Sequence, residues 1–218
     1  MFSDIEEFSE INNKDFFKTY QILPSEKLDE ILLNHVKKNY GKFCIAYDPG
    51  FTNYLMVSKI EALSLYGCKM SELKTNPLKQ MRVLKYESEI KHMKESFRKA
   101  DNAFYDLEKW VNESVENGKY LSEADVKNKI TERFEFYGAS GLSFEVIASA
   151  KENTAIIHYT KSSEKELFTQ GDLILLDSGA YFEGGYATDL TRCFIAGGEK
   201  ASILPKAKEL YTIILKAC

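Results

Sequence analysis

The 218-residue sequence predicts an α+β protein, in which two packed helices precede an antiparallel sheet and a last helix, with the remnant of a small α/β domain in front. Three observations carry this reading. Ile90, Met93, Phe97, Ala100, Phe104, Leu107 and Val111 recur at spacings of three and four, which draws one apolar stripe along a long helix. After Gly138 the pattern changes to short runs rich in β-branched and aromatic residues, as strands require. Nearer the start, a helical segment precedes two short apolar runs separated by the turn signal Asp48-Pro49-Gly50. Helices, then strands, then a helix is the order of an α+β domain.

The elements follow in sequence. Residues 25–40 place Leu28, Ile31, Leu32, His35 and Val36 at helical spacing, with Ser25 as N-cap and Gly41 as the stop. Residues 42–48 and 53–58 (NYLMVS) read as strands, and a domain boundary is expected near residue 78, dividing 1–78 from 79–218. The long helix begins at Glu87 and ends near Gly118. A second helix starts after Ser122, whose hydroxyl and Asp125 form an approximate capping box, and buries Val126, Ile130, Phe134 and Tyr137. Residues 142–150 and 154–160 read as strands, and 172–197 as two strands joined by a glycine-containing turn. A last helix is expected over 201–217, with Leu204, Ala207, Tyr211 and Ile214 on one face.

Composition bounds the function. Hydrophobic residues make up 44% and charged residues 28%, the balance of a globular chain able to bury a core. A net charge of -4 without a basic stripe argues against a nucleic-acid partner. The acidic start, MFSDIEEFSE, is unlike a signal peptide, and no apolar run is long enough to cross a membrane. A cytoplasmic location is therefore expected. The cysteines at 44, 68, 193 and 218 have neither zinc-finger nor C-x-x-C spacing and read as small buried hydrophobes rather than a disulfide framework.

Three residues carry candidate chemistry. Asp177 closes the apolar run Leu173-Ile174-Leu175-Leu176, and a carboxylate there is costly unless compensated. Asp189 lies twelve residues on. If the two segments pair as a hairpin, both carboxylates reach one face of the sheet, where a divalent cation would relieve their repulsion. Hard oxygen donors suit manganese or magnesium, and zinc or cobalt with an added imidazole. A plainer reading also stands: Asp177 opens a turn before Ser178-Gly179 and Asp189 pairs with Arg192. His158, in AIIHY, is on its own terms either a histidine bonded to backbone in the core or a functional one.

The segments AIIHY, LILLDSG and TDLTR, preceded by GLSFEVIASA and the helix YESEIKHMKESFRKAD, resemble in order the signature of the aminopeptidase P and prolidase group of pita-bread metallopeptidases. The likeness covers roughly residues 42–218. It implies a partial pita-bread domain over 79–218, preceded by the C-terminal part of a creatinase N-terminal-like α/β domain. It also implies that Asp177 and Asp189 are ligands of a dinuclear centre, Asp189 bridging two divalent ions, manganese first, with zinc or cobalt as alternatives. His158 would be catalytic, placed near the substrate, and Arg192 would orient a carboxylate. His35 and His92 match no family site. The implied activity is removal of the first residue from peptides with proline second.

The sequence departs from the family in two ways. The family site calls for a later histidine and two glutamates, yet no histidine follows His158, and Glu199 and Glu209 match no ligand motif. The spacing between the aspartates is also one residue longer than is usual in the family, with the insertion expected in the turn at Gly184-Gly185. A fragment that is inactive alone is therefore expected, with a homodimer or a complementary C-terminal half as its partner. A non-catalytic binding module, a metal-free creatinase-like hydrolase and an inactive relic are the alternatives; the aspartate pair argues against the first two.

Overall fold

The computed structural model describes residues 2–3, 21–202 and 205–217. Most of the N-terminal stretch, Leu204 and Cys218 lie outside these residues. The chain divides into two compact units, Met1–Leu84 and Lys85–Cys218.

In the first unit, β1 (Phe2–Ser3) pairs in parallel with β2 (Leu23–Pro24). A 3₁₀ turn over Ser25–Lys27 leads into α1 (Leu28–Lys38). Ser25 does not cap this helix: it lies inside the turn, and its hydroxyl donates to Glu26 Oε1 at 3.3 Å. β3 (Cys44–Tyr47), α2 (Tyr54–Ala62) and β4 (Lys69–Glu72) form a β-α-β crossover with β3 and β4 parallel. A short α3 (Pro77–Val83) follows. Val36, Leu63 and Cys68 make the small core, flanked by Leu32, Leu33, Phe43 and Ile45. Residues 53–58, expected as a strand, lie in α2 and its cap. Asn53 Oδ1 accepts the Met56 N–H at 2.9 Å, and this local cap decides an apolar run too short to declare its period.

In the second unit, α4 (Glu87–Glu116) buries Ala100, Ala103, Phe104, Leu107 and Val111 along one stripe. β5 (Leu121–Ser122) leads into α5 (Glu123–Phe136), which packs on α4 and buries Val126, Ile130 and Phe134. β6 (Gly141–Leu142), β7 (Ile147–Ala150), β8 (Leu167–Phe168), β9 (Leu173–Ser178), β10 (Ala180–Tyr181) and β11 (Leu190–Ile195) follow. The central sheet runs in the order β11-β9-β7, antiparallel throughout. Along β9 the period of two puts Ile174, Leu176 and Ser178 in the core and Leu173, Leu175 and Asp177 on the other face. β10 pairs with β6, and β8 with β5. α6 (Pro205–Ala217) starts at Pro205, where a missing N–H is tolerated, and none of its residues is buried.

Two further expectations are corrected here. Residues 142–150 are not one strand: Ser143 breaks away, donating its N–H to the Gly179 carbonyl and its hydroxyl to that of Thr188. Residues 154–160 are not a strand either. Lys151–Ala155 form a 3₁₀ turn, and the segment beyond is gathered around the Glu123 carboxylate. Of the cysteines, Cys68 is buried, whereas Cys44 and Cys193 are exposed. No helix among the described residues is long and apolar enough to cross a membrane.

The α5 cap is as expected and gives a simple test. Ser122 Oγ accepts the Asp125 N–H at 3.1 Å, while Asp125 Oδ2 accepts the Ser122 N–H at 2.8 Å. Ser122→Ala removes one arm of this box and should cost about 1 kcal/mol, read as a lower urea midpoint with an unchanged slope.

Candidate functional site

The β9–β11 hairpin positions the aspartates. Thr191 lies across from Asp177 and Leu190 across from Ser178. Beyond the ladder the Thr188 N–H donates to the Ala180 carbonyl at 2.9 Å, so the same register continues. Asp189 therefore sits opposite Gly179, just before β11, at a position diagonal to Asp177. Diagonal neighbours of an antiparallel pair share a face and stand roughly 7–8 Å apart at the backbone. Asp177 is half-buried and Asp189 exposed. Thr191 Oγ1 donates to Asp177 Oδ1 at 3.0 Å and fixes one carboxylate oxygen. Ile147 flanks Asp177 from β7.

Gly179 is what allows this approach. A Cβ built there would overlap the Thr188 carbonyl oxygen and stand 2.6 Å from its carbon and from Ser143 Oγ. Thr188 is fully buried and locked, its Oγ1 lying 3.0 Å from the Ala180 nitrogen and 3.2 Å from the Ala180 oxygen. The hairpin is thus pinned on both sides of Asp189. The turn between the aspartates runs through Gly184 and Gly185, both at positive φ.

His158 comes from a different segment, outside the hairpin. It is exposed, in a turn after the Lys151–Ala155 segment, at φ 56. Tyr159 beside it is buried, and its hydroxyl donates to Glu123 Oε2 at 2.8 Å; burial, then that hydrogen bond, holds the phenol pKa above its usual value. Arg192 does not orient either aspartate. It lies opposite Leu176, one residue out of phase with Asp177, so strand alternation turns it away. Its guanidinium instead donates to the Thr191 carbonyl at 2.9 Å and meets Asp101 on α4 at 3.5 Å. Tyr186 stacks on His92 and donates to Glu89, and burial raises its pKa.

Two carboxylates at diagonal positions offer hard oxygens suited to a divalent ion. They stand as a pair, since no group of three or more His, Cys, Asp or Glu side chains able to bind a metal occurs among the described residues, and further donors would have to complete the site. His158, Asp177 and Asp189 thus do not form a three-donor metal group. One further group of note carries no signal in the sequence: the carboxylate of Glu123. It is buried, yet nothing local distinguishes it from the acidic residues common in a first helical turn.

Known proteins share the fold and the family of this chain. The fold is that of an Xaa-Pro dipeptidase from Bacillus anthracis, with a TM-score of 0.73 and 24% identity over 94% of this chain and 55% of the other. An X-prolyl aminopeptidase from Caenorhabditis elegans, a cytosolic enzyme with a di-nuclear active site, also gives 0.73, at 23% identity over 89% of this chain and 32% of its own. These likenesses identify a partial pita-bread fold. A probable Xaa-Pro aminopeptidase P from Ajellomyces capsulatus is 31% identical over 158 residues, 71% of this chain and 25% of that protein. The chain spans between 19% and 40% of the length of the curated relatives it matches. Residues 91–218, more than half of the chain, match the model of metallopeptidase family M24, and the chain belongs to that family.

Proposed function

We propose that this chain contributes the aspartate limb of a metal-dependent aminopeptidase that removes the first residue from peptides with proline second. One observation carries the reading: the diagonal placement of Asp177 and Asp189 on one face of the β9–β11 hairpin, inside the segment that matches the family. Asp177 and Asp189 would supply two of the carboxylates that hold a pair of divalent ions, with manganese first and zinc or cobalt as alternatives. When bound, such a pair supplies a nucleophile at neutral pH and polarises the scissile carbonyl. Thr191 keeps the Asp177 carboxylate in one rotamer, and His158 positions the peptide. The likeness of a cytosolic Caenorhabditis elegans enzyme supports a cytoplasmic setting. Residues 1–78 would be the end of a creatinase N-terminal-like domain. The complete enzyme would act as a homodimer, or this chain would pair with a complementary C-terminal half carrying the remaining histidine and glutamates. Because the described residues gather no third ligand, a non-catalytic binding module or inactive relic is the second reading.

The test is complementation. The pure chain with added manganese should not cleave an Xaa-Pro peptide. Mixed with a recombinant C-terminal half from a relative, it should take up metal and gain turnover. Asp189→Ala should lower the complemented kcat/KM by at least about 100-fold, since losing even a group that supports a ligand costs 10–100-fold. Association without metal uptake, or no association, favours the second reading. Turnover by the chain alone, abolished by Asp189→Ala, would show that its own donors suffice.

A further inference from the structure

Glu123 lies at the first position of α5, is buried, and meets four donors. Its Oε1 accepts the Ala150 N–H at 2.8 Å and Asn153 Nδ2 at 3.0 Å. Its Oε2 accepts the Tyr159 hydroxyl at 2.8 Å and the Ser163 N–H at 2.8 Å. Asn153 Nδ2 also donates to the Tyr159 oxygen at 3.1 Å, which closes the network. None of these partners is a cation. The carboxylate is compensated by these hydrogen bonds and by the positive end of the α5 dipole, a costly arrangement to bury unless every bond is made.

The segment it gathers is strained. Among the described residues, only Lys151, His158 and Ser162 are non-glycine residues at positive φ, at 55°, 56° and 40°. Each directly neighbours a Glu123 contact: Lys151 follows Ala150, His158 precedes Tyr159, and Ser162 precedes Ser163. Left-handed non-glycine backbone persists only where its surroundings over-determine it. Here the over-determining group is one carboxylate with two contacts on each oxygen.

We propose that Glu123 is the positioning residue for the turn that carries His158, holding that residue's left-handed backbone through Tyr159 and both ends of the segment. The inference deepens the proposed function and rests on His158 being an active-site residue there. Glu123 itself touches no substrate and acts through His158.

Glu123→Gln tests it sharply, because the geometry leaves the amide no solution. Each oxygen faces one backbone N–H, Ala150 on one side and Ser163 on the other. The new NH₂ must face one of them in either orientation. One buried N–H loses its acceptor, and hydrogen exchange at Ala150 or Ser163 should accelerate by about ten-fold or more. Tyr159→Phe removes only the phenol link and should leave both amides protected.

The experiment uses the 218-residue chain and NMR. The His158 Cα and Cβ shifts, which report its φ, should move in both variants. Val126→Ala, a core truncation on the same helix, supplies the control for lost stability alone and should leave those shifts in place. If His158 shifts in Glu123→Gln no more than in Val126→Ala, the proposal is wrong. Should Glu123→Gln fail to fold, Tyr159→Phe decides: unmoved His158 signals overturn the proposal. The activity reading fails separately, if His158→Ala leaves the complemented kcat/KM unchanged, and the Glu123 result would then stand as a statement about the turn alone.

Discussion

Gly179→Ala is expected to lower the thermal midpoint of the second unit by on the order of 10 °C. The added methyl meets backbone, the Thr188 carbonyl, rather than a side chain able to swing away. Four bonds hold that carbonyl's residue: the Thr188 N–H and Oγ1 each donate to the Ala180 carbonyl, Oγ1 accepts the Ala180 N–H, and Ser143 Oγ donates to the Thr188 carbonyl itself. Relief requires breaking at least one of them inside a buried site, so the cost should reach about 3 kcal/mol, the upper end of ordinary overpacking. Gly185→Ala is the control. Its Cβ meets nothing within 4 Å, and only its φ of 74 opposes the change, which should cost about 1–2 kcal/mol. Differential scanning calorimetry on both variants decides the matter. Equal midpoints for the two would mean that close approach at Gly179 is not what fixes the hairpin.

The same substitution bears on the site, because Asp189 directly follows Thr188. Any shift that frees the Thr188 carbonyl moves Asp189 relative to Asp177. In the complemented enzyme, Gly179→Ala should therefore weaken metal uptake at temperatures where the unit is still folded. Gly185→Ala, remote from the ladder, should not.

What could be read in the residues divides along physical lines. The long α4 stripe and the Ser122–Asp125 box are local, set by residues three or four apart, and both are present as expected. The antiparallel pairing of 173–178 with 190–195 follows from two apolar runs around a glycine turn, and it carries the diagonal aspartates with it. Residues 53–58 and 154–160 failed for one shared reason. Each is a short apolar run whose β-propensity is overridden by a polar contact, Asn53 on its own helix in the first and Glu123, 36 residues from Tyr159, in the second. The first contact lies three residues off and was in principle readable as a cap. The second is tertiary, and nothing near Glu123 announces it. Strand parity alone, counted from Asp177 through Thr191, sends Arg192 to the α4 side, where it meets Asp101 rather than either aspartate of the hairpin.

Phe134→Ala should remove about 3–5 kcal/mol, a large fraction of the stability of an ordinary domain. Phe134 is 1% exposed and joins the layers of the second unit. Its ring lies 6.2 Å from that of Phe104 on α4 and 6.3 Å from Phe182 at the end of the β10 hairpin, edge-on to the latter. Truncation deletes two aromatic contacts and leaves a cavity walled by a helix and a sheet, neither of which can close in without breaking its own hydrogen bonds. Phe136, two residues on, is 68% exposed and covers only Tyr137 and the Arg133 guanidinium. Its replacement by alanine should cost less than about 1 kcal/mol. The single tryptophan, Trp110, packs against the same core, so its fluorescence follows this unit through a urea titration. A Phe134→Ala midpoint no lower than that of Phe136→Ala would mean that the helix pair and the sheet do not share one cooperative core. The Asp177–Asp189 face would then rest on the hairpin alone.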